Sequence, residues 1–261
     1  MMRKKILLLV LLLCFATTAM ADLVDEFDVA HDFLTSGVTG TGWSGILNAG
    51  NISVANTTDN PGYLTLDGTG NWNGNETTGP FIYKEVTGDF IAEVHQFDVV
   101  TSAGGLMVRL GDPAADGIAG EDNMWLAMWS SWDVGSIFWP TDDGTRPEWF
   151  NSGDGDEGGP QWVRVERRGA DFYWSRSYDG VTWEALSPDA YPLTRNDMDV
   201  DTLQVGIVQS FAGDPIEYDY FELLEQVTAF SGSTFVDEEG ATSTTITVDL
   251  TGPAHTEQVD V

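Results

Sequence analysis

Apolar and charged residues alternate most regularly within the segment 161–183. Val163 and Val165 alternate there with charged residues, which predicts a strand with one apolar and one charged face. Turn-forming residues follow, and then a run of aromatic residues. Asp179-Gly180 is a favoured dipeptide for a two-residue hairpin turn, after which residues 181–183 would return antiparallel. The segment therefore predicts a three-stranded antiparallel meander and, with it, a β domain.

Short strand patterns recur along most of the chain, and segments rich in Gly, Asn and Asp separate them. The predicted strands are 44–47, 52–55, 63–66, 81–84, 90–100, 106–110, 124–129, 136–139, 203–211 and 216–224. Residues 22–33 should form an edge strand anchored by Phe27, Val29 and Phe33. Beyond the N-terminal region no stretch longer than a turn has helical periodicity. Many short strands with turn residues between them favour a two-sheet sandwich or jelly roll.

Three regions give more specific predictions. The strand 124–129 is apolar on both faces, as a central strand covered on two sides would be. The acidic, Gly-rich region 141–160 should be a loop. The inward-facing residues of the strand 90–100 should be Ile91, Val94, Phe97 and Val99.

The N-terminal residues 1–21 have the pattern of a secretory signal peptide. Basic residues precede a short apolar run from Ile6 to Phe15, and Ala19-Met20-Ala21 is a small-residue cleavage site. The pattern predicts cleavage after Ala21 and a secreted or cell-surface protein, and the apolar run is too short to span a membrane. Cys14 is the only cysteine, so the mature protein would contain no disulfide. An exported domain of this size without disulfides is typical of bacteria.

The chain carries 42 acidic against 11 basic residues, a net charge of -31. Such a field repels nucleic acid and anionic membrane surfaces, so neither is an expected partner. Calcium is the one cofactor that the acidic loops suggest, because it takes several oxygen ligands from flexible loops. Its candidate ligands are Asp112, Asp116 and Asp122. The alternative is that these loops are simply solvated and keep an acidic protein soluble.

Several large aromatic residues fall between 125 and 150. Flat aromatic faces beside polar groups are a common way to bind sugars. Trp132, Trp139 and Trp149 lie next to predicted loops, and with Arg109 they are the candidate ligand-binding residues. Trp125 and Trp129 share one face of a strand, and for them burial in a core is the competing interpretation.

Motifs in the second half of the chain resemble the concanavalin A-like lectin/glucanase superfamily, and in particular LamG-like domains of exported bacterial proteins. The residues that carry this resemblance are Trp162, Arg164, Arg167, Gly169, Ser177-Tyr178-Asp179-Gly180, Trp183, Val205-Gly206 and Tyr220-Phe221. The resemblance implies that residues 22–225 form an all-β, two-sheet antiparallel jelly-roll sandwich. It is informative about fold and poor about activity, because one fold hosts many functions.

The last part of the chain begins a different pattern. Residues 226–231 should be a linker, and residues 232–261 are similar to the opening of a Calx-beta repeat. This implies a truncated segment of about two strands, which cannot bury a core alone. The chain would then be a piece of a longer surface protein, in which it serves as a structural or adhesive spacer.

The preferred function is a non-catalytic module that binds carbohydrate or another cell-surface ligand. The alternative activity is glycoside hydrolysis by Glu217, Asp219 and Glu222, which have the E-x-D-x-x-E spacing of superfamily glucanases. Such hydrolysis needs two carboxylates that flank the bond. The trio lies on the predicted last strand, however, whereas glucanases carry it on a central one. The competing interpretation is an outward polar face, with Tyr218, Tyr220 and Leu223-Leu224 packed inward.

Overall fold

The computed structural model describes residues 23–73, 76–97, 103–111, 123–129, 133–140, 147–151, 161–185, 192–200, 202–210, 213–226, 230–236 and 243–248. For the strands between 123 and 151, and beyond 225, the description concerns the backbone. No helix among these residues is long and apolar enough to cross a membrane. Apart from one helical turn, α1 (Phe33–Ser36), and two 3-10 turns (Ala49–Asn51 and Asn196–Met198), the regular structure is β.

The strands, in chain order, are β1 (Leu23–Asp25), β2 (Gly45–Leu47), β3 (Ile52–Asn56), β4 (Leu64–Gly68), β5 (Trp72–Asn73), β6 (Glu76–Thr77), β7 (Phe81–Thr87), β8 (Asp89–Phe97), β9 (Ala103–Leu110), β10 (Asn123–Trp129), β11 (Asp133–Pro140), β12 (Pro147–Asn151), β13 (Gln161–Arg168), β14 (Asp171–Ser177), β15 (Glu184–Ala185), β16 (Leu193–Thr194), β17 (Thr202–Ser210), β18 (Ile216–Gln226), β19 (Phe230–Val236) and β20 (Ser243–Val248).

Two antiparallel sheets make up the main body. The large sheet has nine strands in the order β15-β14-β13-β8-β18-β4-β3, with β1 also paired to β18 and β16 to β14. The small sheet has seven strands in the order β12-β11-β10-β9-β17-β7-β2. Two hairpins, β5-β6 and β19-β20, form separate pairs. The prediction of an all-β chain with two antiparallel sheets is confirmed.

The main core lies between the two sheets. Alternate residues of β8 and β13, among them Val94 and Val165, meet Leu106 and Val205 from the small sheet in one hydrophobic cluster. The small sheet also has a second cluster on its other face, formed by Trp72, Phe81, Ala103, Met107 and Val208. Strand β9 is consequently buried along its whole length.

The predicted meander is confirmed for β13 and β14, which pair through a tight turn at residues 168–171. The predicted two-residue turn at Asp179-Gly180 is wrong. Arg176 pairs with Glu184, and β14 ends at Ser177, so that residues 178–183 all belong to the connection. The carboxylate of Asp179 accepts hydrogen bonds from the backbone nitrogens of Val181 and Thr182, at 2.8 and 2.6 Å. The connection thus folds around this side chain.

Most other strand predictions hold in position, but the edge strand predicted over residues 22–33 is wrong beyond Asp25, because β1 ends there and Phe33 begins α1. Residues 147–151 form β12, where a loop was predicted. Val29 is 80% exposed and anchors nothing, whereas Phe27 and Phe33 are buried as predicted. On β8, Val94 faces the core as predicted, but Ile91 and Phe97 do not; the buried positions there are Phe90, Ala92, Val94 and Gln96. Val99 lies outside the described residues.

Arg167, the second arginine of the motif residues Trp162, Arg164, Arg167 and Gly169, organises the end of the meander. Arg167 is buried and donates to the carbonyl oxygens of Gly169, Gly88, Met198 and Val200, at 2.9, 2.9, 3.3 and 2.6 Å. These carbonyls belong to three different connections. Arg167 therefore joins three loops by hydrogen bonds. It does not contribute to the outer face of the large sheet, where Arg164 and Glu166 of the same strand are partly exposed.

Candidate functional site

Part of the predicted site lies beyond what the structure describes. Trp132 and the three calcium candidates, Asp112, Asp116 and Asp122, lie outside the described residues. Among the residues that are described, no group of three or more His, Cys, Asp or Glu side chains is arranged to hold a metal ion. Calcium binding by the acidic loop stays a prediction.

Trp139 and Trp149 are placed by their backbone pairing in the small sheet. Trp149 pairs with Phe138, Phe138 with Trp125, and Trp125 with Met107, so these positions form one row across the sheet. Trp139 pairs with Glu148 in the adjacent row. Trp139 and Trp149 thus lie in neighbouring rows of the small sheet. Their role in ligand binding stays a prediction.

Arg109 lies on the outer face of the small sheet and is 6% exposed. Its Nη1 donates to Oε1 of Gln204 at 3.1 Å and to the carbonyl of Leu110 at 3.2 Å. The guanidinium also lies 5.9 Å from the centre of the Trp72 ring, over its face. Protein groups thus already bind this side chain, and its predicted contact with a ligand stays a prediction.

The E-x-D-x-x-E residues lie on β18, where an irregularity changes which side chains face outward. Between Tyr218 and Tyr220 the register with β8 shifts by one residue, a β-bulge. Tyr218 is buried before the bulge, and Phe221 and Leu223 are buried after it. The extra residue is Asp219, so the inward alternation restarts one position later.

Because of this bulge, Glu217, Asp219 and Glu222 are all partly exposed on the outer face of the large sheet. The prediction of an outward polar face is confirmed for all three. The prediction that Tyr220 and Leu224 pack inward is wrong, because both follow the bulge and are only partly buried. The strand is also interior to the sheet, between β8 on one side and β1 and β4 on the other.

A row of partly exposed rings crosses this outer face. Tyr220 pairs with His95, and His95 pairs with Trp162 on the next strand. The His95 and Trp162 rings stack 4.5 Å apart with 15° between their planes, and Trp162 and Tyr220 lie 5.1 Å apart. We call Tyr220, His95 and Trp162 the aromatic row.

The bulge residue holds the middle of the aromatic row in place. Oδ1 of Asp219 lies 2.6 Å from Nδ1 of His95, and the side chains are 31% and 11% exposed. Phe97 meets the His95 ring edge-on, and Tyr63 meets Phe97 in the same way. The orientation of His95 is therefore determined by contacts on several sides.

Carboxylates flank the aromatic row on one side. Glu222 pairs directly with Glu93, and Glu93 pairs with Arg164. Nε of Arg164 donates to Oε1 of Glu93 at 2.6 Å, and the guanidinium lies 3.7 Å from the centre of the Trp183 ring. Two like charges that face each other across a strand pair are destabilising unless a third group compensates. Here Arg164 bonds Glu93, while Glu222 faces the row.

Burial and the neighbouring charges raise the pKa values of two residues on this surface, Glu93 and Tyr220. Burial raises the pKa of Glu93 above its ordinary value, the Arg164 guanidinium opposes that rise, and the charge of Glu222 adds to it. Burial, followed by the charge of Glu222 and a hydrogen bond with it, also raises the pKa of Tyr220 well above the usual range. The Tyr220 hydroxyl and the Glu222 carboxylate thus share a hydrogen bond at this edge of the aromatic row.

On the other side of the aromatic row lies a hydrogen-bonded carboxylate and amide. Oε1 of Glu217 accepts from Nδ2 of Asn60 at 2.9 Å. Glu217 pairs with Phe97 on β8 and with Thr65 on β4. The aromatic row is thus bordered by oxygen acceptors on both sides, and the aromatic and polar groups together form one continuous surface.

The sequence pointed to only part of this surface. Trp162 and Trp183 are among the motif residues that predicted the fold, whereas His95 belongs to no motif. Glu93 carried no signal, since one glutamate in a strand pattern is common. The pairing β13-β8-β18 supplies the missing information, because it brings residues that are far apart in sequence into one row.

No protein-family model matches the chain, and no curated protein matches it significantly. Among solved structures, it resembles the GH43 BlXynB protein from Bacillus licheniformis at 17% identity, with a TM-score of 0.54, over 78% of this chain and 39% of that one. It resembles xylan beta-1,4-xylosidase from Bacillus halodurans C-125 at 12% identity, with a TM-score of 0.53, over 77% of this chain and 39% of that one. A further similar structure is lectin I-B4 from Griffonia simplicifolia, at 12% identity and a TM-score of 0.46, over 76% of this chain and 100% of that one.

The chain therefore spans 39% of the length of the two Bacillus proteins. At such identities the likeness to these two proteins concerns the fold, which is a β-sandwich of two antiparallel sheets.

Proposed function

We propose that this chain is an exported, non-catalytic module with concanavalin A-like jelly-roll architecture that binds carbohydrate on the outer face of the large sheet. The observation that carries the proposal is the aromatic row, Tyr220–His95–Trp162, which is partly exposed and has carboxylates on both sides. Sugars combine apolar C–H faces with hydroxyl donors. Aromatic rings can stack against the C–H faces, and carboxylate oxygens can accept hydrogen bonds from the hydroxyls.

The charge of the chain narrows the ligand class. With a net charge of -31, the protein repels polysaccharides that carry carboxylate or sulfate groups. A neutral glycan pays no such cost, and its hydroxyls can donate to Glu222 and Glu217. Xylan is a suitable first probe because one of the similar structures is named as a xylan xylosidase.

The test is binding of the chain to insoluble xylan, and calorimetry with neutral xylo- and cello-oligosaccharides. Trp162→Ala should weaken binding roughly tenfold or more, since it removes a large stacking surface. Tyr178→Ala is the matched control, because Tyr178 is an aromatic residue on the same meander, 47% exposed and not part of the row.

The rival site on the small sheet is tested in the same experiment. If Trp149→Ala or Trp139→Ala abolishes binding and Trp162→Ala leaves it unchanged, the ligand binds to the small sheet and the assignment to the aromatic row is wrong. If the parent chain binds no neutral glycan, the proposed function is wrong.

A second candidate function, glycoside hydrolysis, is favoured by one observation. Glu93 and Glu222 face each other on neighbouring strands, and the pKa of Glu93 is raised. Retaining glycosidases use a pair of carboxyl groups, one of which is protonated, and the pairing of Glu93 with Glu222 brings two carboxyl-bearing residues together on this face. Glu222→Gln should then abolish reducing-sugar release while glycan binding persists. A parent chain that binds xylan but releases no reducing sugar would exclude this candidate.

The proposal also includes export and placement at the cell surface. Export would use the signal peptide that ends at Ala21, and the Calx-beta-like residues 232–261 would extend the chain as a spacer. Expression of the full gene in a bacterial host, followed by N-terminal sequencing of the exported protein, tests the first part. A mature N-terminus other than Asp22 would contradict the predicted cleavage.

A further inference from the structure

A small pocket lies beside β1, where Val24 pairs with Glu222 of β18, and its lining includes no residue of the aromatic row. It has a volume of about 230 Å³. Its apolar wall is formed by Val24, Val29 and Phe33, and its polar wall includes the side chains of four residues: Asp25, His31, Thr41 and Thr57. This volume is below the roughly 300–1,000 Å³ of pockets that hold drug-sized ligands, so an occupant with a single ring is the largest that suits it.

The side-chain donors of the polar wall are already used by the protein itself. The Thr41 hydroxyl donates to the carbonyl of Val38 at 2.8 Å, and the Thr57 hydroxyl donates to the carbonyl of Val29 at 2.6 Å. Nε2 of His31 lies 2.7 Å from the carbonyl of Gly37, and because a carbonyl only accepts, this nitrogen carries the proton.

The acceptors, in contrast, retain capacity. Each Asp25 oxygen accepts one neutral donor, Phe27 N for Oδ1 and Trp43 Nε1 for Oδ2, both at 2.9 Å. A carboxylate has about four acceptor positions, and each threonine hydroxyl keeps one further lone pair. The carboxylate of Asp25 and the two threonine hydroxyls therefore offer acceptors to an occupant, and the protons of both hydroxyls are already used.

No ion pair within the described part of the chain includes Asp25. The carboxylate is nevertheless held firmly: it caps the backbone of Phe27, a buried residue with a φ of 54° that bulky side chains rarely adopt. A fixed carboxylate beside an apolar wall is complementary to a cation with an apolar body.

We propose that this pocket binds a small organic ammonium ion, with one ring or a short alkyl body against Val24, Val29 and Phe33 and its N–H groups directed to Asp25 and the neighbouring acceptors. A sugar is a poor match, because its several hydroxyls include acceptors that would remain unpaired in a pocket where the protons of both threonine hydroxyls are already used. The net charge of -31 attracts such cations to the protein. The inference is independent of glycan binding on the large sheet.

The test uses benzylamine as the cationic probe and benzyl alcohol as its neutral counterpart, in NMR titrations of the ¹⁵N-labelled mature chain. Benzylamine should shift the amide signals of Thr41 and Thr57 in a saturable way. Benzyl alcohol should bind about tenfold more weakly, since charge-assisted hydrogen bonds are roughly twice as strong as neutral ones. No saturable shift with benzylamine, or equal affinity for the two probes, overturns the proposal.

Substitutions at the rim test the site without touching its framework. Val29 is 80% exposed, so its replacement leaves the fold unchanged. Val29→Glu should tighten benzylamine binding about threefold, and Val29→Lys should weaken it by a similar factor, relative to Val29→Gln. If the three variants have equal affinity, benzylamine binds elsewhere and the proposal is overturned.

Discussion

The hydroxyl of Tyr218 on the large sheet accepts a hydrogen bond from the backbone nitrogen of Gly105 on the small sheet, at 3.0 Å. The same hydroxyl donates to the carbonyl of Val208 at 2.9 Å. Gly105 and Val208 face each other on β9 and β17, so the phenol is inserted into the ladder between two strands of the opposite sheet. Gly104 makes this possible, because a Cβ there would lie 2.4 Å from the hydroxyl and must be absent.

Tyr218→Phe should lower the free energy of unfolding by about 1–3 kcal/mol, because the change leaves a backbone N–H and a C=O without partners in a buried place. Urea denaturation of the parent chain and the variant measures the difference. Tyr178→Phe, on a half-exposed ring, is the control and should stay within about 0.5 kcal/mol. Equal stability of the parent and Tyr218→Phe would show that the inserted hydroxyl adds nothing.

Arg167→Lys should destabilise the chain by about 2–3 kcal/mol although it preserves the charge. The guanidinium reaches four carbonyls in different directions, and a single ammonium cannot reproduce that fork. Arg168→Lys is the matched neighbour: its side chain is 61% exposed and pairs with Glu166 at the surface. A loss of less than about 1 kcal/mol is expected there. Thermal unfolding of the two variants side by side separates the predictions, and similar losses would contradict the assigned role of Arg167.

The Asp179 connection should give stability a pH dependence in acid. Hydrogen bonds from the backbone nitrogens of Thr182 and Val181 hold the pKa of Asp179 well below its ordinary value of 3.8. A lowered folded-state pKa means that this contribution is fully present above the unfolded-state pKa and is lost as the pH falls through the folded-state value. Asp179→Asn should therefore flatten the curve of unfolding free energy against pH below about 4, compared with Asp28→Asn, an exposed aspartate outside the turn. Parallel curves for these two variants would contradict the prediction.

The strand positions were largely predictable from the sequence, because a half-buried strand repeats every two residues and most of these strands do so. The failures occur where one residue departs from that period. Asp219 forms a bulge, which reverses the predicted orientation of Tyr220 and Leu224. Asp179 folds a loop around its carboxylate where its dipeptide predicted a tight turn. The bulge is not visible in local composition, since Asp219 binds His95, which is 124 positions away. The Asp179 loop is closed by backbone nitrogens two and three positions away, so its failure lies in assigning the Asp-Gly dipeptide to the wrong kind of turn.

The candidate surface was less predictable than the fold. The trio Glu217, Asp219 and Glu222 was found by its spacing, but its surroundings depend on strand pairing over long sequence separations. His95 meets Asp219 from 124 positions away, and Arg164 meets Glu93 from 71. A periodic pattern defines the faces of a strand and carries no information about which strand lies beside it.

The electrostatics of Glu93 provide a direct test of this surface, because two neighbours act on its pKa in opposite directions. Burial is the main cause of the raised pKa, the charge of Glu222 contributes in the same direction, and Arg164 opposes it. Glu222→Gln should therefore lower the pKa of Glu93, and Arg164→Met should raise it further. ¹³C NMR titration of the Glu93 carboxyl group measures both shifts, and equal shifts in one direction would contradict the arrangement.

A raised folded-state pKa means that Glu93 binds its proton more tightly in the folded than in the unfolded chain, so its contribution to stability falls as the pH rises above the unfolded-state value of about 4.5. Relative to Glu93→Gln, the parent chain should accordingly lose stability between about pH 4.5 and the raised folded-state pKa and remain at that lower level at neutral pH.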